Sequence, residues 1–73
     1  MLTFTVVLDP ETEGGYAVTA AALSEVVSYG DTREGALRHV SEAIQLALEV
    51  RGERGEPIPT DVEPIIEHVH VAI

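Results

Sequence analysis

Apolar and polar positions alternate at the start of the chain. Leu2, Phe4, Val6 and Leu8 fall on one side and Thr3, Thr5 and Val7 on the other, which is the period of two of a pleated strand. Asp9-Pro10-Glu11-Thr12-Glu13-Gly14-Gly15 then reads as a turn, because proline presets φ and the paired glycines permit positive φ. Alternation resumes over residues 16–21, with Tyr16, Val18 and Ala20 on one side. Two strands joined by a short glycine-containing loop predict a hairpin. Ala22-Leu23-Ser24 reads as a connection, and residues 25–29 as a short third strand containing Val26 and Val27, ended by Gly30.

The period then changes. Ala36, Leu37, Val40, Ala43, Ile44, Ala47 and Leu48 follow the three-to-four spacing of one helical face. Asp31 and Thr32 precede them, and both are N-cap types. With Asp31 as the cap, Glu34 stands three residues on, as in a capping box. Glu42, Gln45 and Glu49 fall on the opposite, solvated side. Gly52 and Gly55 are the expected stop, with Arg51 and Arg54 near the negative helix end. Glu56-Pro57-Ile58-Pro59-Thr60 reads as an extended linker. From Glu63 to Ile73 alternation returns, placing Val69, Val71 and Ile73 opposite His68, His70 and Ala72.

The predicted fold is therefore α+β, in the order β-β-β-α-β, as one domain over residues 1–73. Three antiparallel strands and a right-handed crossover bring the last strand beside the first, giving sheet order 3-2-1-4. One helix covers one sheet face. The Leu2/Phe4/Val6/Leu8 side is the more apolar and is expected beneath it. Thr3, Thr5, Val7, His68 and His70 are then left on an open face of mixed character, which makes them the candidate partner-binding residues.

Composition narrows the function classes. At 73 residues the core is small, and such domains are marginal unless packed well, stapled or completed by a partner. No cysteine is present, which excludes disulfides and thiolate metal sites. No apolar run approaches the ~18 residues of a membrane span, and the N-terminus lacks a signal-peptide layout. The expected location is the cytoplasm. Thirteen acidic residues face four arginines, for a formal charge of −9. Nucleic acid affinity rests on cations, so no direct nucleic acid binding is expected. An acidic surface suits a basic protein partner. The chain has no Asn or Lys, one Gln and one Met. Scarcity of Asn, Gln, Cys and Met is a trend of heat-stable proteins, so elevated thermal stability is expected, although the lack of Lys runs against that trend.

Candidate chemistry is sparse. His68 and His70 lie on one side of a strand and could contribute to a metal site, but no third ligand accompanies them. Gly14-Gly15 lies between strands and is no phosphate loop. Ser24, Ser28 and Ser41 have no base placed near them, and residues 3–8 carry no carboxylate for two-metal hydrolysis. No cofactor, metal or enzymatic activity is expected.

Three short blocks carry a resemblance. Glu13-Gly14-Gly15-Tyr16 with Val18 looks like the Gly-Gly-Tyr hairpin of HicB-like antitoxins. The run from Gly30 to Leu37 (Gly-Asp-Thr-Arg-Glu-Gly-Ala-Leu) resembles that family's Gly-Asp-Thr-x-x-Glu-Ala helix start, and Ala43-Ile44 fits the helix that follows. Arg54-Gly55-Glu56-Pro57-Ile58-Pro59 is similar to its Gly-x-x-(Ile/Leu)-Pro exit. The resemblance implies a trimmed RNase H-like fold without catalytic carboxylates. It implies an antitoxin-like role in a toxin–antitoxin system, with a small basic HicA-type mRNA interferase as partner. The chain departs from the family at three places. Ala21-Ala22-Leu23-Ser24-Glu25 stands where a Pro-x-Leu-Pro-type turn is usual, so Leu23 alone remains. Gly35 replaces a Glu. The C-terminal DNA-binding segment that many full-length members carry is not seen before Ile73, so the resemblance does not extend to repressor activity. The alternative reading is a stand-alone module that self-associates through the open face or binds a small ligand.

Overall fold

In the computed structural model, which describes residues 1–73, strand β1 (Val6–Pro10) pairs antiparallel with β2 (Tyr16–Ala20). Gly14 and Gly15 turn the chain between them at φ +99° and +81°, values that side chains with a Cβ rarely adopt. Glu11 N–H donates to Gly15 O at 2.9 Å and Ala21 N–H to Thr5 O at 3.1 Å. These two bonds fix the alternation along β1: Val7 and Asp9 direct their backbone groups toward β2, and Val6 and Leu8 direct theirs outward. Pro10 has no N–H and falls on the outward set, as a proline in an edge strand must.

Strand β1 is shorter than alternation predicts. The expected strand began at Leu2, but β2 ends at Ala20 and the chain turns at Ala21-Ala22, so residues before Thr5 have no neighbour to pair with. Strand β3 is longer than predicted. It runs Leu23–Gly30 and is antiparallel to β2, completing a three-stranded sheet of order β1-β2-β3. Ala20 pairs with Leu23 while Thr19 pairs with Val27, so Ser24, Glu25 and Val26 bulge out of register. Strict alternation cannot bury both Leu23 and Val26 on one face. The bulge does so, and both are buried. Leu23 is also the one residue that survives from the family turn.

Helix α1 spans Arg33–Glu53. Its N-cap is Thr32, whose Oγ1 accepts the Gly35 N–H at 3.0 Å. Asp31, the expected cap, stands one residue outside, so Glu34 is not at the capping-box position. At the other end Arg54 is the C-cap, and Gly55 adopts φ +71°. Glu56 N–H reaches Arg51 O at 2.9 Å and Gly55 N–H reaches Gly52 O at 3.1 Å, the Schellman pattern. Gly55 therefore stops the helix, while Gly52 lies within its last turn.

The core comprises Val18, Ala20, Leu23, Val26, Ala36 and Val40, flanked by half-buried Phe4, Val6, Leu8, Tyr16, Ala43, Ile44, Ala47 and Leu48. The helix thus covers the face assigned to it by the first strand's alternation. It lies mainly over β3, less over β2 and scarcely over β1. Gly30 makes the close approach possible: a Cβ there would meet the backbone N of Ala36 and lie 2.6 Å from Ala36 Cα.

The tail differs from expectation. Residues 56–73 join no helix or sheet, so the fourth strand of the predicted 3-2-1-4 order is not paired within the chain. Alternation shows that a segment suits a sheet face, but a strand also needs a free edge within reach. Pro57, Pro59 and Pro64 keep the residues at and before them out of helix. One anchor ties it to the body: Thr5 N–H and Thr5 Oγ1 donate to the two Asp61 carboxylate oxygens at 2.9 and 2.8 Å.

Candidate functional site

The sheet face away from the helix is built by register. Val7, Thr19 and Val27 lie opposite one another across the three strands, and Asp9, Ala17 and Tyr29 form the next row. Val27 is 67% exposed and Tyr29 47%. The Tyr29 ring lies across the β1–β2 hairpin, where its hydroxyl donates to Gly14 O at 3.0 Å. Gly15 makes room for it, since a Cβ there would lie 2.5 Å from Tyr29 Cζ and closer still to the hydroxyl oxygen. The backbone carbonyl of Tyr29 is held from the helix side, with His39 Nδ1 donating to it at 2.6 Å. Around Tyr29, Glu11, Thr12, Glu13 and Gly14 line a shallow recess of about 270 Å³. The face is thus apolar in the middle, with Val7, Val27 and Tyr29, and acidic at one end, with Asp9, Glu11 and Glu13.

The five residues expected on this face separate. Val7 is there, half-buried between its neighbours. Thr5 is engaged by Asp61 at the base of the sheet. Thr3 precedes the strand and lines a groove beside the helix with Leu2, Phe4, Val6, Leu37, Val40, Ser41 and Ile44. His68 and His70 do not reach the sheet. They are exposed on the extended tail, because the strand that was to carry them there is not paired. At the sheet edge opposite the one where the histidines were expected, the exposed side chains of this face come instead from Val27 and Tyr29 on β3. Their position follows from the register of the third strand, which reading 25–29 as an isolated strand does not supply.

Charge is organised away from this face as well. Arg51 Nε and its terminal nitrogen donate to the two Glu25 carboxylate oxygens, both at 2.9 Å. The fork-to-fork hydrogen bonds from Arg51 hold the Glu25 carboxyl down at about 2, against an ordinary 4.5. The same contact raises Arg51. The Thr5 backbone N–H, then its hydroxyl, lowers Asp61. Each shift belongs to a structural contact that joins the helix or the tail to the sheet. No three His, Asp or Glu side chains converge as metal ligands, and no buried side-chain nitrogen or oxygen lacks a partner. No helix is long and apolar enough to cross a membrane. What this arrangement offers is a surface for recognition.

No family model matches the chain. Two relatives do. The UPF0150 protein ssr1765 of Synechocystis sp. is 36% identical over 58 residues, which cover 80% of this chain and 73% of that protein. Antitoxin HicB 1 of Photorhabdus laumondii is 41% identical over 56 residues, covering 77% of this chain. The match spans only 36% of that antitoxin's length. At this identity and coverage, and with the βββα body described above, the chain belongs to the HicB-like, UPF0150 family.

Proposed function

We propose that this protein is an antitoxin-like module that binds and inhibits a small basic mRNA interferase of HicA type. The observation that carries the reading is the 41% identity to Antitoxin HicB 1 over 77% of the chain. The charge of −9 supports it, since a cationic ribonuclease would be drawn to an acidic surface. In this reading the contact surface is the open face. Val7, Val27 and Tyr29 supply the apolar centre, and Asp9, Glu11 and Glu13 form the charged rim. The module performs no chemistry and binds no nucleic acid itself. It acts by covering the basic surface that the ribonuclease presents to RNA.

The test is co-purification from native cells followed by an RNA-cleavage assay. A small basic protein should come down with the tagged chain at moderate salt, and its ribonuclease activity should fall as purified chain is added. Tyr29→Ala should weaken that inhibition by about 10-fold or more, the 1–2 kcal/mol expected of an aromatic anchor at an interface. Recovery of copies of the chain alone, with no ribonuclease that it inhibits, would overturn the reading.

A further inference from the structure

We infer that two copies of this chain exchange their C-terminal tails, the segment Ile65–Ile73 of each lying along the open edge of β1 in the other. Four observations place the two halves of this contact. The first is the tail itself. Ile65, Ile66, Val69, Val71 and Ile73 are all exposed, Ile65 at 84% and Val69 at 82%. The second is the edge it would fill. The backbone groups of Val6 and Leu8 face outward with no strand beside them, the condition that invites strand addition. Because α1 sits over β3 and β2, a groove of about 310 Å³ remains between β1 and the helix, lined by Leu2, Phe4, Val6, Leu37, Val40 and Ile44, among others.

The third observation is charge. The lining of this groove contains no ionisable residue, and Ile65–Ile73 carries Glu67 as its single carboxylate in a chain that has thirteen acidic residues. The weakly charged segment suits the uncharged groove, which lets two strongly acidic chains meet with little like charge opposed. The fourth is shape. A compact domain of this length has a radius of gyration of roughly 11 Å, whereas this protomer measures 14.4 Å and extends 49 Å along its longest axis. The proline-stiffened stretch from Pro57 to Pro64, pinned at Asp61, carries the tail away from its own body. The exchange is reciprocal, so it closes with two-fold symmetry and leaves neither edge exposed. It also completes a core that fully buries only eight residues in the single chain.

The proposal does not depend on the toxin reading and is tested without any other protein. Light scattering on the purified full chain should give twice the 7.8 kDa chain mass. The association should strengthen as salt rises, because screening relieves repulsion between two acidic chains. Binding to a basic partner would instead weaken. Val69→Asp should halve the measured mass while preserving the circular dichroism of the βββα body, which Val69 does not touch. In a mixture of differently isotope-labelled chains, contacts between the Val69 methyls and the Phe4 or Val6 side chains should connect one chain to the other. A monomer at all concentrations overturns the exchange. So does a dimer that survives Val69→Asp unchanged, since the interface then lies elsewhere, or the same contacts found within one chain.

Discussion

Replacing Gly30 by alanine adds one methyl group where the helix start crosses the end of β3. That methyl would press on the backbone of Ala36 and Gly35, 2.6 Å from Ala36 Cα and from the Gly35 carbonyl carbon. Contacts under 3.0 Å essentially do not occur for real Cβ atoms, and the atoms struck are backbone, which has no rotamer to move into. The helix must lift from the strand, opening the core at Ala36 and Val40. Overpacking usually costs 1–3 kcal/mol, so a backbone collision should cost about 3 kcal/mol. A domain of this length is stable by roughly 4–11 kcal/mol, of which that is a large part. At ~4–8 °C per kcal/mol, Tm should drop by about 12–24 °C, read by thermal melting in far-ultraviolet circular dichroism. Gly52→Ala is the matched control. Gly52 lies in the last turn of α1 with nothing within 4 Å of a new Cβ, so the same chemical change should stabilise by about 0.4–1 kcal/mol. If Gly30→Ala melts within the ~4–8 °C that 1 kcal/mol moves, the close packing of helix on strand is wrong.

Thr32→Ala removes the oxygen that accepts the Gly35 N–H and should cost about 1 kcal/mol of unfolding free energy in denaturant titrations. Asp31→Ala should cost clearly less, and the reverse ranking would restore Asp31 as the cap. The Glu25–Arg51 pair makes acid stability testable. The Glu25 carboxyl is lowered from 4.5 to about 2 in the folded protein, so its contribution is fully present above pH 4.5 and fades as pH falls toward 2. Glu25→Gln should therefore lower Tm above pH 4.5 and converge on the parent protein near pH 2; a constant difference across that window would contradict the pairing. The parent protein should melt above the ~45–65 °C range of ordinary domains, and a Tm inside that range would remove the argument from its scarce Asn, Gln and Met.

The segments with a strong period and a local stop signal were legible from the chain alone. The hairpin follows from alternation on both sides of Gly14-Gly15. The helix follows from its apolar stripe and from Gly55. The more apolar face of β1 does lie under the helix. What the sequence left open depends on distant neighbours. Thr32 and Asp31 are equally good caps on paper, and only the path out of β3 decides between them. The bulge at Ser24–Val26 is a compromise between burying Leu23 and Val26 and keeping the sheet register, so a five-residue reading of β3 missed it. With the bulge went the positions of Val27 and Tyr29. The tail is the clearest case. Its alternation is real, but it pairs with no strand of its own chain, and no local pattern states which edge a strand will use.

The succession of elements has a kinetic meaning. Most contacts in the body join neighbours in the chain, β1 with β2, β2 with β3, and β3 with the helix that follows it, while the helix rests less on β2 and little on β1. A body built mostly on such neighbour contacts favours fast, single-phase folding, and residues 4–56 hold its core and both helix caps. The body can thus fold before the tail has found anything to pair with. Any pairing that the tail makes with another molecule comes later, at a rate that rises with protein concentration. Refolding should split into a fast phase that is indifferent to dilution and a slow one that dilution delays.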